Sequence, residues 1–96
     1  MTPDLSGQPL DELKEWLAIT TSGEDTLLVR LLETAWQMCL RFTGTTATQW
    51  SELDEGLRHG LIRFAAHQYR ARDGAEAGAL PAAVAALWRP WRVVRL

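Results

Sequence analysis

The sequence predicts an all-α protein: a compact bundle of three to four helices with an extended C-terminal tail. Three observations lead there. Apolar residues recur at helical spacing through residues 10–17, 27–42 and 53–69. Helix-ending residues separate those stretches: Thr20-Thr21-Ser22-Gly23, then Gly44, then Asp73-Gly74. With 96 residues, 47% of them hydrophobic and 23% charged, the chain suits one folded domain. It is too short for a dinucleotide-binding sheet, a barrel or a two-domain enzyme.

The elements follow in order. Pro9 fits the first turn of a helix, where its fixed φ and missing N–H cost nothing. Leu10, Leu13, Trp16 and Leu17 then share a face, with Asp11, Glu12, Lys14 and Glu15 opposite, predicting a helix over 9–19. Ser22 with Asp25 resembles a capping box opening the second helix. Its stripe of Leu27, Leu28, Leu31, Leu32, Ala35, Met38, Cys39 and Phe42 runs to Gly44, a C-terminal cap. A threonine-rich loop spans 43–49. Ser51 with Asp54 is a second capping box, opening a helix to about Arg72 with Leu53, Leu57, Leu61, Phe64, Ala65 and Tyr69 inward. Residues 74–79 form a small-residue linker. Pro81 begins a short fourth helix carrying Val84, Leu87 and Trp88, and Pro90 stops it. Residues 91–96 alternate as an extended strand would.

Chemistry is scarce in this chain. No serine lies in a nucleophile-elbow context, and no glycine-rich loop cradles a phosphate. His59 and His67 are two helical turns apart, too far to share one metal. Cys39 is the only cysteine and lies on an apolar stripe, so it reads as a small core side chain, with no disulfide and a reducing compartment expected. Catalytic, cofactor and metal sites are therefore all expected to be absent. No apolar run reaches the roughly 18 residues of a membrane span, and the acidic start does not resemble a signal peptide, so no membrane partner is expected. Ten basic against twelve acidic residues give a net charge of −2, which creates no overall basic field for nucleic acid. The charge is uneven: residues 1–48 hold seven acids and three bases, whereas 49–96 hold five acids and seven bases. Such asymmetry suits head-to-tail packing of identical copies.

Two composition features need a physical reason. Gly56 and Gly60 fall one turn apart inside the third helix, where each costs roughly 1 kcal/mol against alanine. Either another helix approaches closely there, or both glycines are tolerated on a solvent face. Five tryptophans is a high number for 96 residues. Trp16 and Trp36 are expected in the core. Trp88 and Trp91 flank Arg89-Pro90 in a segment too short to bury both, and tryptophan and arginine are enriched at binding hot spots. A tail alternating Arg92 and Arg95 with Val93, Val94 and Leu96 suits strand addition or groove insertion. The alternative is a tail folded back on its own bundle.

Several stretches carry a resemblance. They are Leu10-Asp11-Glu12-Leu13-Lys14-Glu15-Trp16-Leu17, Gly23-Glu24-Asp25-Thr26-Leu27-Leu28 and Arg41-Phe42-Thr43-Gly44, followed by Leu61 to Arg72 and Leu80-Pro81 through Leu87. Within them Ala66-His67-Gln68-Tyr69-Arg70 is similar to an "AHWYxxR" pattern, and Arg89 to Leu96 resembles a closing "PYRxxRL" with Trp91 in place of tyrosine. In order and spacing the chain resembles the small phage head–tail connector (adaptor) family of long-tailed phages, prophages and gene-transfer particles. The loop between Gly44 and Trp50 is shorter than in many relatives. The resemblance implies a structural subunit, not an enzyme, located at the head–tail neck of the virion and in the host cytoplasm during assembly. Its copies would form a ring under the portal protein, extend the DNA channel without sequence-specific binding to the packaged DNA, and offer a platform to a stopper or tail-completion protein. Residues 1–88 would be the helical connector domain and 89–96 the partner-binding tail. Arg89, Trp91, Arg92, Val94, Arg95 and Leu96 are the residues expected to meet the portal or a neighbouring copy. Glu24, Asp25, Glu52 and Glu55 are expected to supply complementary charge between subunits. Two other functions stay open: a helical nucleic-acid-binding module using Arg58, Arg63, Arg70 and Arg72, and a regulatory module binding a partner protein through the tryptophan-rich end.

Overall fold

A computed structural model describes residues 2–71 and 80–92. Among the described residues it shows the expected helical bundle, with four α-helices and no strand. Helix α1 spans Gln8–Leu17, α2 Asp25–Thr43, α3 Glu55–Arg70 and α4 Ala82–Trp88. Single 3₁₀ turns lie at Trp50–Glu52 and Arg89–Trp91. Helix α3 is central and packs against each of the other three. Its sequence explains the position: Leu57, Leu61, Ile62, Phe64, Ala65 and Ala66 leave it buried on most sides.

The helix ends differ from the sequence expectation in instructive ways. Helix α1 stops at Leu17 rather than residue 19, because Ala18 turns left-handed at φ 58° and its N–H bonds back to the Glu15 carbonyl. Ile19 N–H closes the same end on the Lys14 carbonyl at 2.8 Å. Helix α2 ends as read, with Gly44 at φ 74° donating to the Leu40 carbonyl. Neither capping box forms. Helix α2 begins at Asp25 with Glu24 before it, and α3 begins at Glu55 with Asp54 before it; no side chain caps either start. Ser51 instead lies in the 3₁₀ turn, which carries the buried Trp50 into the core beside Leu53.

The core joins Leu10 and Leu13 of α1, Leu28, Leu32, Ala35, Trp36 and Cys39 of α2, the inner face of α3, and Val84 and Trp88 of α4. Leu5 is buried too, although it precedes α1. It is held by a local turn in which the Asp4 carboxylate accepts from both the N–H and the hydroxyl of Ser6. The α2 stripe is wider than the face it buries: Leu31 is half-buried, and Leu27 is 36% exposed. Trp36 is in the core as expected, but Trp16 is not, being 44% exposed. The reason is angular. Leu10, Leu13 and Leu17 define the inward side of α1, and Trp16 falls beside that arc, at the edge facing α3. Cys39 is fully buried, and burial pushes its thiol up to about 12, against a smaller opposing effect from Thr43.

Candidate interaction site

The C-terminal end of the described chain meets α3 through two tryptophans and two glycines. Helix α4 runs back along α3 so that Trp88 lies on Gly60 and Trp91 lies on Gly56. A β-carbon at Gly60 would come within 2.9 Å of Cδ1 of Trp88, and one at Gly56 within 2.7 Å of Cη2 of Trp91. The two helix-interior glycines therefore serve close approach, but by indole rings of the same chain rather than by another helix backbone. Trp88 is fully buried, donates from Nε1 to the Leu57 carbonyl at 3.1 Å, and packs against Phe42 and Phe64. Trp91 is 36% exposed and donates from Nε1 to the Asp54 carboxylate at 2.6 Å.

Arg89–Trp91 is thus a 3₁₀ turn seated on the bundle, not extended as the tail was expected to be from its first residue. Proline at its second position tolerates that geometry, and the Arg92 N–H closes the turn on the Arg89 carbonyl. Arg92 itself has extended backbone, with φ −70° and ψ 126°. Its guanidinium sits 4.9 Å from the ring centre of Phe42. Arg89 is exposed. Val94, Arg95 and Leu96 lie outside the described residues, as does the 74–79 linker.

Three of the four acidic residues expected between subunits have partners inside this one. Asp25 pairs with Lys14 at 2.8 Å, across from α2 to α1. Glu24 accepts from the Tyr69 hydroxyl at 2.9 Å. Glu52 accepts from both the N–H and the hydroxyl of Thr48, which lowers its carboxyl below the ordinary 4.5. Glu55 is exposed and lines an open groove of about 900 Å³ between α1 and α3, together with Glu12, Glu15, Trp16, Arg58 and His59. Sequence reasoning missed that groove, because it forms from two helices whose relative placement no local pattern encodes. Trp16 stands at its edge, braced by an edge-on His59 at 5.5 Å and by Arg63 over its ring at 6.0 Å.

The arginines considered for nucleic acid do not form one stripe. Arg58 faces the acidic groove, whereas Arg63 and Arg70 line a smaller recess with His67, and Arg72 lies outside the described residues. Among the described residues, no group of three or more His, Cys, Asp or Glu is placed to hold a metal, and no helix is long and apolar enough to cross a membrane.

Comparison with characterised proteins and with solved structures gives no match. Comparison with family models does: residues 8–84, from the start of α1 into α4, match the model described as phage gp6-like head-tail connector protein. That match stops short of Trp88 and the residues after it. Spanning most of the sequence and nearly all of the helical bundle, it establishes that the chain belongs to the phage gp6-like head-tail connector family, structural proteins of the virion that join head to tail.

Proposed function

We propose that the chain is an adaptor subunit whose copies form a ring under the portal of a filled head. The ring extends the DNA channel and gives a stopper or tail-completion protein its platform, after assembly in the host cytoplasm. The work is binding, with no catalytic step and no cofactor. Residues 1–88 act as the connector domain and 89–96 as the partner-binding tail, in which Arg89, Trp91, Arg92, Val94, Arg95 and Leu96 meet the portal or a neighbouring copy. Glu55, on the rim of the α1–α3 groove, is the freest of the four acidic residues to face another subunit. Glu24, Asp25 and Glu52 do so only while keeping or exchanging their internal partners.

One observation carries this reading: the family match covers the folded bundle, and the bundle holds its C-terminal segment by a buried root at Trp88. Fully extended, residues 93–96 would reach roughly 13–14 Å beyond Arg92. Deletion of 93–96 tests the reading. The truncated chain should melt as the parent does, yet yield DNA-filled heads that leak or fail to join tails. Truncated chain that still completes virions at the parental level would overturn the assignment of the tail.

A further inference from the structure

Asp54 stands where a helix cap stands and does something else. It immediately precedes α3, its backbone is extended at φ −63° and ψ 155°, and aspartate is among the best capping residues. Yet its side chain makes no bond to the first-turn N–H groups of α3 and accepts from Trp91 instead. We propose that the Trp91–Asp54 contact is a releasable clasp, closed in the free subunit and opened when the C-terminal segment docks on its partner, with Asp54 turning to cap α3 as Trp91 leaves.

Three features make the clasp separable from the fold. First, the exchange conserves hydrogen bonds: Asp54 gives up the indole N–H and gains a backbone N–H that otherwise has no side-chain acceptor. Second, the two tryptophans differ in depth. Trp88 is fully enclosed and bonded to the backbone of α3, so it stays as the root, while Trp91 is already 36% exposed. Third, the outer seat is shallow. Gly56 offers the ring a flat stretch of backbone with no side chain to interlock, and the next contact, Arg92 over Phe42, is a surface stacking. The turn Arg89–Trp91 can therefore peel away while α4 remains in place.

The idea rests on the reading of residues 89–96 as the partner-binding segment, and it adds that Trp91 is withheld from the partner until the clasp opens. A subunit whose anchor is engaged internally binds more weakly by the fraction of time the clasp is open.

Two substitutions open the clasp by independent means. Asp54→Ser keeps a capping side chain but is too short to hold the indole. Gly56→Ala places a methyl group where the Trp91 ring lies. In each full-length variant the five indole N–H signals of ¹⁵N-tryptophan-labelled protein would be followed by hydrogen exchange. Loss of residues 93–96 to trypsin would be timed by mass; the Arg89–Pro90 bond resists that protease, so Arg92 reports the peeled turn. Attachment to portal-bearing heads that lack the connector completes the set. Both variants should expose the Trp91 indole and speed cleavage after Arg92 several-fold, leave the Trp88 indole protected, and reach half-maximal attachment at several-fold lower concentration than the parent. Equal attachment by parent and variants overturns the clasp, as does any variant in which Trp88 opens together with Trp91. Deleting 93–96 examines the tail reading separately: heads completed without the tail refute that reading, whereas the exchange pattern of Trp88 and Trp91 judges the clasp on its own.

Discussion

Trp88 and Trp91 make a controlled pair. They are three residues apart, they lie on glycines one turn apart on the same helix, and each donates its indole N–H, Trp88 to Leu57 within α3 and Trp91 to Asp54 just before it. They differ in acceptor and in depth. Trp88 reaches a backbone carbonyl inside the core, where losing the bond would strand a buried donor, and two aromatic rings enclose it. Trp91 reaches an exposed carboxylate, where water competes for both partners. Equivalent spacing thus yields an anchor at one position and a detachable contact at the next. The boundary between the enclosed bundle and the turn seated on its surface falls between these two side chains, where α4 ends.

The largest expected effect lies at the inner position. Trp88→Ala empties the space between Phe42, Phe64 and Gly60 and should cost about 3–5 kcal/mol, a large part of the total stability of a domain this small. A denaturant melt showing a loss under about 1 kcal/mol would dissolve the distinction between the two tryptophans. Gly60→Ala sharpens the same point from below. Its methyl group would collide with a ring that cannot move outward, so it should destabilise by about 1–3 kcal/mol despite the gain in helix propensity. A neutral or stabilising result would show that Trp88 has room to shift.

At the outer position the expected losses are smaller. Trp91→Ala removes one solvent-competed hydrogen bond and a half-exposed ring, and should cost about 1 kcal/mol. A parallel contrast on the aliphatic core places Leu61→Ala at about 2–5 kcal/mol and Leu31→Ala well below it, since Leu61 is fully buried and Leu31 is not. Equal losses would break the link between burial and cost on which both comparisons stand.

The smallest effect concerns acid. Hydrogen bonds from Thr48 hold the folded Glu52 carboxyl below its ordinary 4.5, so its contribution is complete above the unfolded value and fades as pH falls through the folded one. Urea melts of parent and Glu52→Gln across pH 3–6 should differ most at the upper end of that range and converge at the acid end. Curves that stay parallel would place the contribution of Glu52 elsewhere.

Much of the bundle was legible because its signals are local. The stripe from Leu28 to Cys39 and the stop at Gly44 declare α2 by spacing and by one left-handed residue. Pro81 and Pro90 bracket α4 for equally local reasons. What the sequence hid depends on distance along the chain. Ser51 and Asp54 have the spacing of a capping box, but Asp54 is claimed by an indole 37 residues away. Gly56 and Gly60 left close approach by another helix and a solvent face both open, and nothing nearby says that the visitors are Trp91 and Trp88. Trp16 misled for a related reason: helical periodicity places it near the inward arc, and only the position of α3 decides that its ring ends beside His59 in a groove. The candidate site was therefore legible as residue types, a basic and aromatic terminus, and not as geometry.

Cys39 has a practical consequence. The only thiol of the chain is enclosed in the core, and burial holds it protonated to about pH 12. Since the thiolate is the reactive species, a maleimide or a spin-label reagent at neutral pH should leave it untouched. A cysteine introduced at exposed Ala86, on α4 and outside the proposed contact residues, would then be the sole reactive labelling position in an otherwise native chain. Attaching a fluorophore there would test whether copies of the chain approach one another, without first removing a side chain on which the core depends.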